Sequence, residues 1–273
     1  MRVAAYQAPY LPFGSWDAVD LIASQLIACE SAGVELLCCP EAIIGGLAHE
    51  SAGQSPRDVA LTVDELRRLV APLASSPVAS VLGFTERGSD DAVYSSAVLL
   101  ADGDVRTVYR KVYPGYRTVV SAGTDLPVVT LRHTPLGMMI CNDIWYVEPA
   151  RVLAAKGAAL IAVPTNSGHV KVDAPTTSRL RSRGETLPVA RAVENTVTLV
   201  VADVVGEQDG RRALGCSRIV DPDGRVLAQA HPDETGLVVA DVEPRRRPHN
   251  PRGWDGHLNP DVSGEYAALL GPR

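Results

Sequence analysis

In the stretch GMMICNDIWYVEP, residues 137–149, an apolar run ends on Cys141, and Asn142 and Asp143 follow directly. Two other apolar runs end in the same way: VELLCCP stops at Glu41 and VRTVYR stops at Lys111. Strand ends beside a rigid sheet are common places for reacting groups. Brought together, an acid, an amine and a thiol would form an acyl-transfer site. A free thiol has a pKa near 8.5, so ionising it at pH 7 costs about 2 kcal/mol. A carboxylate that takes the proton, or an ammonium that favours the thiolate, removes most of that cost. The ammonium can also hold the oxyanion of a tetrahedral intermediate.

Taken singly, each residue has a plainer reading. A cysteine closing an apolar run also fits a small buried hydrophobe, and Glu41 after Pro40 also fits an ordinary loop acid. Lys111 stands out more. Only three of the twenty-six basic residues are lysines, so a titratable amine sits where composition would have supplied a guanidinium. Spacing alone leaves the convergence open.

The surrounding pattern is that of elements able to hold such a site. Residues 2–8 predict a strand, and SWDAVDLIASQLIACESAG predicts a helix with Ser15 as N-cap and Gly33 as stop. VELLCCP predicts a strand, and TVDE at 62–65 is a capping box opening a helix to about Ala74. VASVLGF and AVYSSAVLLADGDVRTVYRK predict strands, the latter with a hairpin turn at ADGD. Strands over 127–132 and 135–140, a helix over about 147–156 and the strand AALIAVP come next. A helix ending near VARAVEN, the strand TVTLVVADVVG, a DPDG turn between two strands and the closing GLVVADV complete the series. Strands alternating with helices indicate a layered α/β domain, placed over residues 1–245. The Pro-, Gly- and Arg-rich residues 246–273 read as an irregular tail, free or at a subunit interface.

Composition narrows the function. A net charge of −6 offers nothing to a nucleic acid or an anionic membrane, and no apolar run reaches the ~18 residues of a membrane span. Five cysteines without paired spacing suggest reduced thiols and a cytoplasmic setting; six histidines without HxH or HxxxH pairs give no support for a metal. No cofactor motif is present. Cys29, Cys38, Cys39 and Cys216 read as packing residues.

At the three candidate residues the chain resembles the nitrilase superfamily of carbon–nitrogen hydrolases. LLCCPEAIIGG is similar to the segment carrying that family's catalytic glutamate, VYRKVYPG to its lysine motif, and GMMICNDIWYVEPARVLAAKGAALIAVPTN to its nucleophile segment. VAAYQAP, ARAVENTVTLVVADVVG, GCSRIVDPDGRVLA and GLVVADV resemble further blocks, in the family's order. The resemblance implies a four-layer α-β-β-α sandwich, commonly assembled as homodimers or larger homo-oligomers. It also implies a mechanism on a small-molecule amide. Glu41 takes the thiol proton, Cys141 attacks the carbonyl, and Lys111 with the Asn142 backbone N–H holds the oxyanion. Asp143 and Glu148 would then be scaffold. Tyr116, Trp145 and Asn166 are the candidate substrate contacts.

The chain departs from the family at one point. Many members place a further glutamate in the loop between lysine and thiol; here that position is Tyr116, followed by Arg117, and VYPGYRTVVSAG holds no acid. Asn-Asp after the thiol favours an amide over a nitrile. Members that hydrolyse N-carbamoyl substrates follow Asn-Asp with two arginines, and this chain has Ile144 and Trp145 there. Arg179, Arg181 and Arg183 are the remaining candidates for an acidic substrate. The expectation is therefore a hydrolase of small linear amides, with N-carbamoyl hydrolysis and a catalytically silent binding protein as alternatives.

Overall fold

A computed structural model describes residues 1–170, 172–208, 210–244 and 264. The first half of the chain contains β1 (Arg2–Pro9), α1 (Ala18–Ser31), β2 (Leu36–Cys38), α2 (Val63–Leu69), β3 (Ala79–Arg87), β4 (Val93–Ala101), β5 (Asp104–Arg110), β6 (Val128–Leu131) and β7 (Thr134–Met138). There follow α3 (Val147–Ala155), β8 (Leu160–Pro164), β9 (His169–Val170), α4 (Ala174–Asn195), β10 (Thr198–Ala202) and β11 (Val204–Val205). The last strands are β12 (Glu207–Gln208), β13 (Arg211–Arg212), β14 (Arg218–Val220), β15 (Val226–Gln229) and β16 (Gly236–Asp241). Apart from Gly264, the tail expected over 246–273 lies outside the described residues, as does the boundary at 245.

Two large sheets dominate. One has the order β11-β1-β2-β3-β4-β5 with β16 also paired to β1; the other has the order β15-β14-β10-β8-β7-β6. Their central strands are buried on both faces, and the period-2 alternation of side chains sorts each strand between two cores. Val3 and Ala5 of β1 join Leu160 and Ala162 of β8 and Val200 and Ala202 of β10 in a core between the sheets. Ala4, Tyr6 and Ala8 face the other way, onto Ile22, Leu26 and Cys29 of α1 and Leu66 of α2. Ile161 and Val163 of β8 and Leu199 and Val201 of β10 pack on Ala150 and Leu153 of α3 and Ala192 of α4. Three apolar cores between the four layers, helices, sheet, sheet and helices, give the α-β-β-α sandwich that the resemblance implies.

Local details differ from the pattern reading. The first helix begins at Ala18 with Asp17 at its cap, not Ser15. The Ser15 hydroxyl instead accepts the Asp17 N–H at 3.3 Å, a local turn that holds the serine outside the helix. The capping box of Thr62 and Glu65 is present, with reciprocal bonds of 3.2 and 2.8 Å. Its helix ends at Leu69, short of Ala74, and Ala71–Leu73 forms a separate 3₁₀ turn. Pro72 has no N–H to continue the ladder and disfavours helix in the residue before it.

The stretch read as one strand, TVTLVVADVVG, divides at Asp203 and changes sheet: β10 pairs with β8, while β11 pairs with β1. Asp203 is fully buried and accepts bonds from Ser167 N, Ser167 Oγ, Val204 N and Cys216 N, all within 3.0 Å. These bonds anchor two loops beside the ends of the second sheet. Gln7 adds a third tie, donating to the carbonyls of His231 and Glu234 and accepting Ser217 N.

Candidate active site

Glu41 follows the short β2 and is 2 % exposed. Its position depends on Gly83 of the neighbouring β3. A Cβ at Gly83 would lie 2.5 Å from the Pro40 carbonyl and 2.6 Å from Ala42 N, so only glycine lets the Glu41 segment press onto the sheet. Ala42, next in the chain, has φ of +47°, a left-handed conformation that turns the backbone away after the acid.

Lys111 follows β5, and strand register decides its neighbours. Its N–H donates to the Ser95 carbonyl at 2.8 Å, so Ser95 of β4 lies beside it. Alternation places Glu86, Ser96 and Arg110 in a separate cluster, where Arg110 bonds Glu86 at 2.5 Å and Ser96 donates to Glu86 at 2.6 Å. Lys111 Nζ donates to Glu41 Oε1 at 2.6 Å, and Ser95 Oγ donates to the same oxygen at 2.9 Å. Both bonds land on the same oxygen, Oε1. Burial works to lower the Lys111 pKa, but the Glu41 carboxylate foremost, with Asp143 adding to it, outweighs burial and raises the pKa above the usual lysine value. The amine is a cation throughout the neutral range.

Cys141 opens a 3₁₀ turn, Cys141–Trp145, directly after β7 and Ile140. Its φ of +42° is uncommon for a residue with a side chain and marks a sharp elbow, a conformation that costs about 1–3 kcal/mol. Asp143 holds the elbow in place. Its carboxylate is fully buried and accepts Tyr109 Oη at 2.6 Å, Ile140 N at 2.9 Å and Tyr113 N at 2.9 Å. The Asn142 side chain donates to the Tyr113 carbonyl at 2.9 Å, so the two residues after the thiol tie the elbow to the loop after Lys111. The Cys141 thiol donates to the Asn166 carbonyl at 3.8 Å. Burial and then the charge of Glu41 push the thiol pKa up, against the opposing pull of Lys111, so the resting group is a protonated thiol rather than a preformed thiolate.

Glu41, Lys111 and Cys141 line one cavity of about 460 Å³, together with Ser95, Tyr116, Asn142 and Asn166. The position of the missing loop glutamate, Tyr116, is thus on the pocket wall. Glu50 and Arg211 line the same cavity. Trp145 does not: it is 45 % exposed, lines a neighbouring cavity of about 410 Å³ against α4, and lies under the Arg183 guanidinium at 5.7 Å. Cys141 and Asn166 border both spaces. Among the described residues no cluster of three His, Cys, Asp or Glu is placed to hold a metal ion.

Ser95, Asp203 and Gly83 were not singled out from sequence. Serine in a strand and glycine in an apolar run carry no signal until register and layer contacts are known. Asp203 had one available cue, a charged residue interrupting the apolar run TLVVADVV.

Fold and pocket together define a hydrolase with a cysteine in its active site. The chain belongs to the carbon–nitrogen hydrolase family, which it matches over residues 2–247. It is 33 % identical over 218 residues to an (R)-stereoselective amidase of a Pseudomonas species, covering 78 % of this chain and 75 % of that one. A nitrilase of Pyrococcus abyssi is 30 % identical over 216 residues, covering 77 % of this chain and 78 % of its own. A glutamine-dependent NAD(+) synthetase of Xanthomonas campestris matches at 27 % identity across 87 % of this chain, but the match spans only 43 % of that protein. Among solved structures, the amidase of Nesterenkonia sp. AN1 superimposes with a TM-score of 0.80 at 26 % identity, covering 97 % of this chain and 99 % of that one. It has been solved with acrylamide added at its active-site cysteine and, as a cysteine variant, with butyramide.

Proposed function

We propose that the protein hydrolyses a small linear amide through a thioester on Cys141. The observation that carries this reading is the shared cavity: a buried Glu41–Lys111 pair at 2.6 Å lines the same space as a thiol on a strained elbow. Glu41 takes the Cys141 proton as sulfur attacks the carbonyl, which offsets the raised pKa of the thiol at the moment of reaction. Negative charge developing on the carbonyl oxygen is met by the Lys111 ammonium and by backbone N–H groups at the start of the 3₁₀ turn, Asn142 among them. The C–N bond breaks as the proton held by Glu41 passes to the leaving amine or ammonia. Water then attacks the thioester, gives a proton to Glu41, and releases the acid as the proton returns to sulfur. Ser95 keeps the Glu41 carboxylate in place throughout.

The solved complexes of cysteine variants of the Nesterenkonia amidase with acrylamide and butyramide support a small aliphatic amide as the substrate class. N-carbamoyl hydrolysis is less well supported, since no arginine follows the Asn142–Asp143 pair. The test is intact-mass measurement with ammonia detection on a panel of short amides. An acyl adduct that disappears in C141A, with ammonia release by the wild type, is expected. Amide turnover that survives C141A would refute the thioester, and inertness toward every amide would favour the silent binding protein.

We further propose a homo-oligomer in the cytoplasm. Trp145, Tyr146 and Val147 before and within α3, with Val193 of α4, are 41 to 48 % exposed and offer an apolar face for pairing. Five cysteines free of disulfides suit a reducing compartment. Among the described residues no helix is long and apolar enough to cross a membrane. Light scattering on the purified protein tests the assembly; a monomer at micromolar concentration would overturn it.

A further inference from the structure

The reaction proposed above uses only the floor of the pocket. Its wall carries two more charges, Glu50 and Arg211. Arg211 comes from β13, part of a small sheet of β12, β13 and β9, and β9 begins just after the loop that carries Asn166. The Arg211 guanidinium donates to Ser51 Oγ, which places it beside the 3₁₀ turn Glu50–Ala52. Ser51 also lines the cavity, so acid, hydroxyl and guanidinium form one continuous rim. Yet Glu50 and Arg211 do not pair with each other, and among the described residues neither has any other ion-pair partner.

Charges of opposite sign on one rim constrain the ligand. An amide carrying only a carboxylate would be drawn to Arg211 and repelled by Glu50, and one carrying only an ammonium would meet the reverse. A neutral amide would use neither. A ligand bearing both charges on one carbon satisfies both, with the carboxylate on the guanidinium fork and the ammonium on the acid. Space allows it: one water occupies about 30 Å³, and the cavity measures about 460 Å³, well beyond the needs of a two- or three-carbon amide. We propose that this rim selects the side-chain amide of a free α-amino acid, read by Arg211 and Glu50 while its carboxamide reaches Cys141. The inference rests on the amidase reading and names its substrate class.

The test compares kcat/KM of the full chain on glutamine and asparagine with three truncated analogues: glutaric acid monoamide, which lacks the ammonium; 4-aminobutanamide, which lacks the carboxylate; and butanamide, which lacks both. At least one amino acid should exceed butanamide by about a hundredfold and each single-charge analogue by about tenfold, the scale of one good charge-assisted contact each. R211Q should shrink the advantage over butanamide at least about tenfold, mainly through KM, and E50Q should shrink the advantage over glutaric acid monoamide. Butanamide turning over as well as both amino acids would overturn the proposal. So would an R211Q loss equal on every substrate, which would make Arg211 a staple for Ser51. Failure of the amidase reading looks different: no amide releases ammonia and no acyl group appears on Cys141.

Discussion

Lys111 is more constrained than a positive charge alone requires. Its ammonium is buried and contacts Glu41 at 2.6 Å, and in the proposed reaction it meets the charge that develops on the carbonyl oxygen. A guanidinium there is larger, planar and forked, and displaces that charge from its place. K111R should lower kcat/KM about 10²-fold or more, the usual loss for a missing oxyanion donor, while circular dichroism stays that of the wild type. Near-normal kinetics would remove the lysine from the mechanism. The thiol gives a second expectation with a definite sign. Burial and Glu41 raise its pKa above that of a free cysteine, so the thiolate fraction at pH 7 is below the free value and grows about tenfold per pH unit. Alkylation of Cys141 by iodoacetamide, followed by peptide mass mapping, should therefore climb through pH 7–9 without a plateau. An inflection below pH 7 would mean a preformed thiolate instead. The other four cysteines are buried and should react far more slowly.

At the scale of elements, the site consists of strand ends held by groups on neighbouring segments. The segment around Glu41 rests on Gly83, and the elbow at Cys141 hangs from the Asp143 carboxylate. G83A should push the Glu41 segment off the sheet, because the obstructing atoms are backbone and cannot rotate away. The expected result is an acylation rate lowered by at least about 10²-fold, as for loss of a positioned general base, together with a destabilisation of about 1–3 kcal/mol from overpacking. Rapid quench and urea titration measure the two effects separately. Unchanged acylation would show that Glu41 tolerates the shift. Asp143 makes the same point about electrostatics. Burial raises its pKa, and the Lys111 charge, a tyrosine hydroxyl and two backbone N–H groups offset only part of that rise. D143N would turn an amide N–H₂ toward one of these donors and should cost about 1–3 kcal/mol by urea titration; stability within 0.5 kcal/mol would make Asp143 dispensable to the elbow.

For the whole molecule, stability and chemistry have different addresses. The inter-sheet core and the two helix-side cores hold the layers together, and the pocket opens at the strand ends beyond them. L160A, at a fully buried position between the sheets, should cost about 2–5 kcal/mol in urea unfolding. L227A, at a 40 % exposed position on β15, should stay within about 0.5 kcal/mol. Equal effects would contradict the layered core.

Much of this was legible in the chain itself. Strand and helix order, the capping box at Thr62 and the turns at ADGD and DPDG come from local pattern, because backbone sterics and hydrogen bonding act over a few residues. The candidate trio was visible as three apolar runs each ending on a reactive side chain, and the resemblance of several blocks in order supplied their roles. Tertiary structure alone decided the rest. Which sheet β11 joins, why Gly83 must lack a Cβ, that Ser95 shares an oxygen with Lys111, and that Glu50 and Arg211 meet on one rim all depend on register and layer contacts between distant segments. Hydrophobic periodicity says which face of a strand is buried, but not which neighbour lies against it, and the chemistry of this pocket depends on those neighbours.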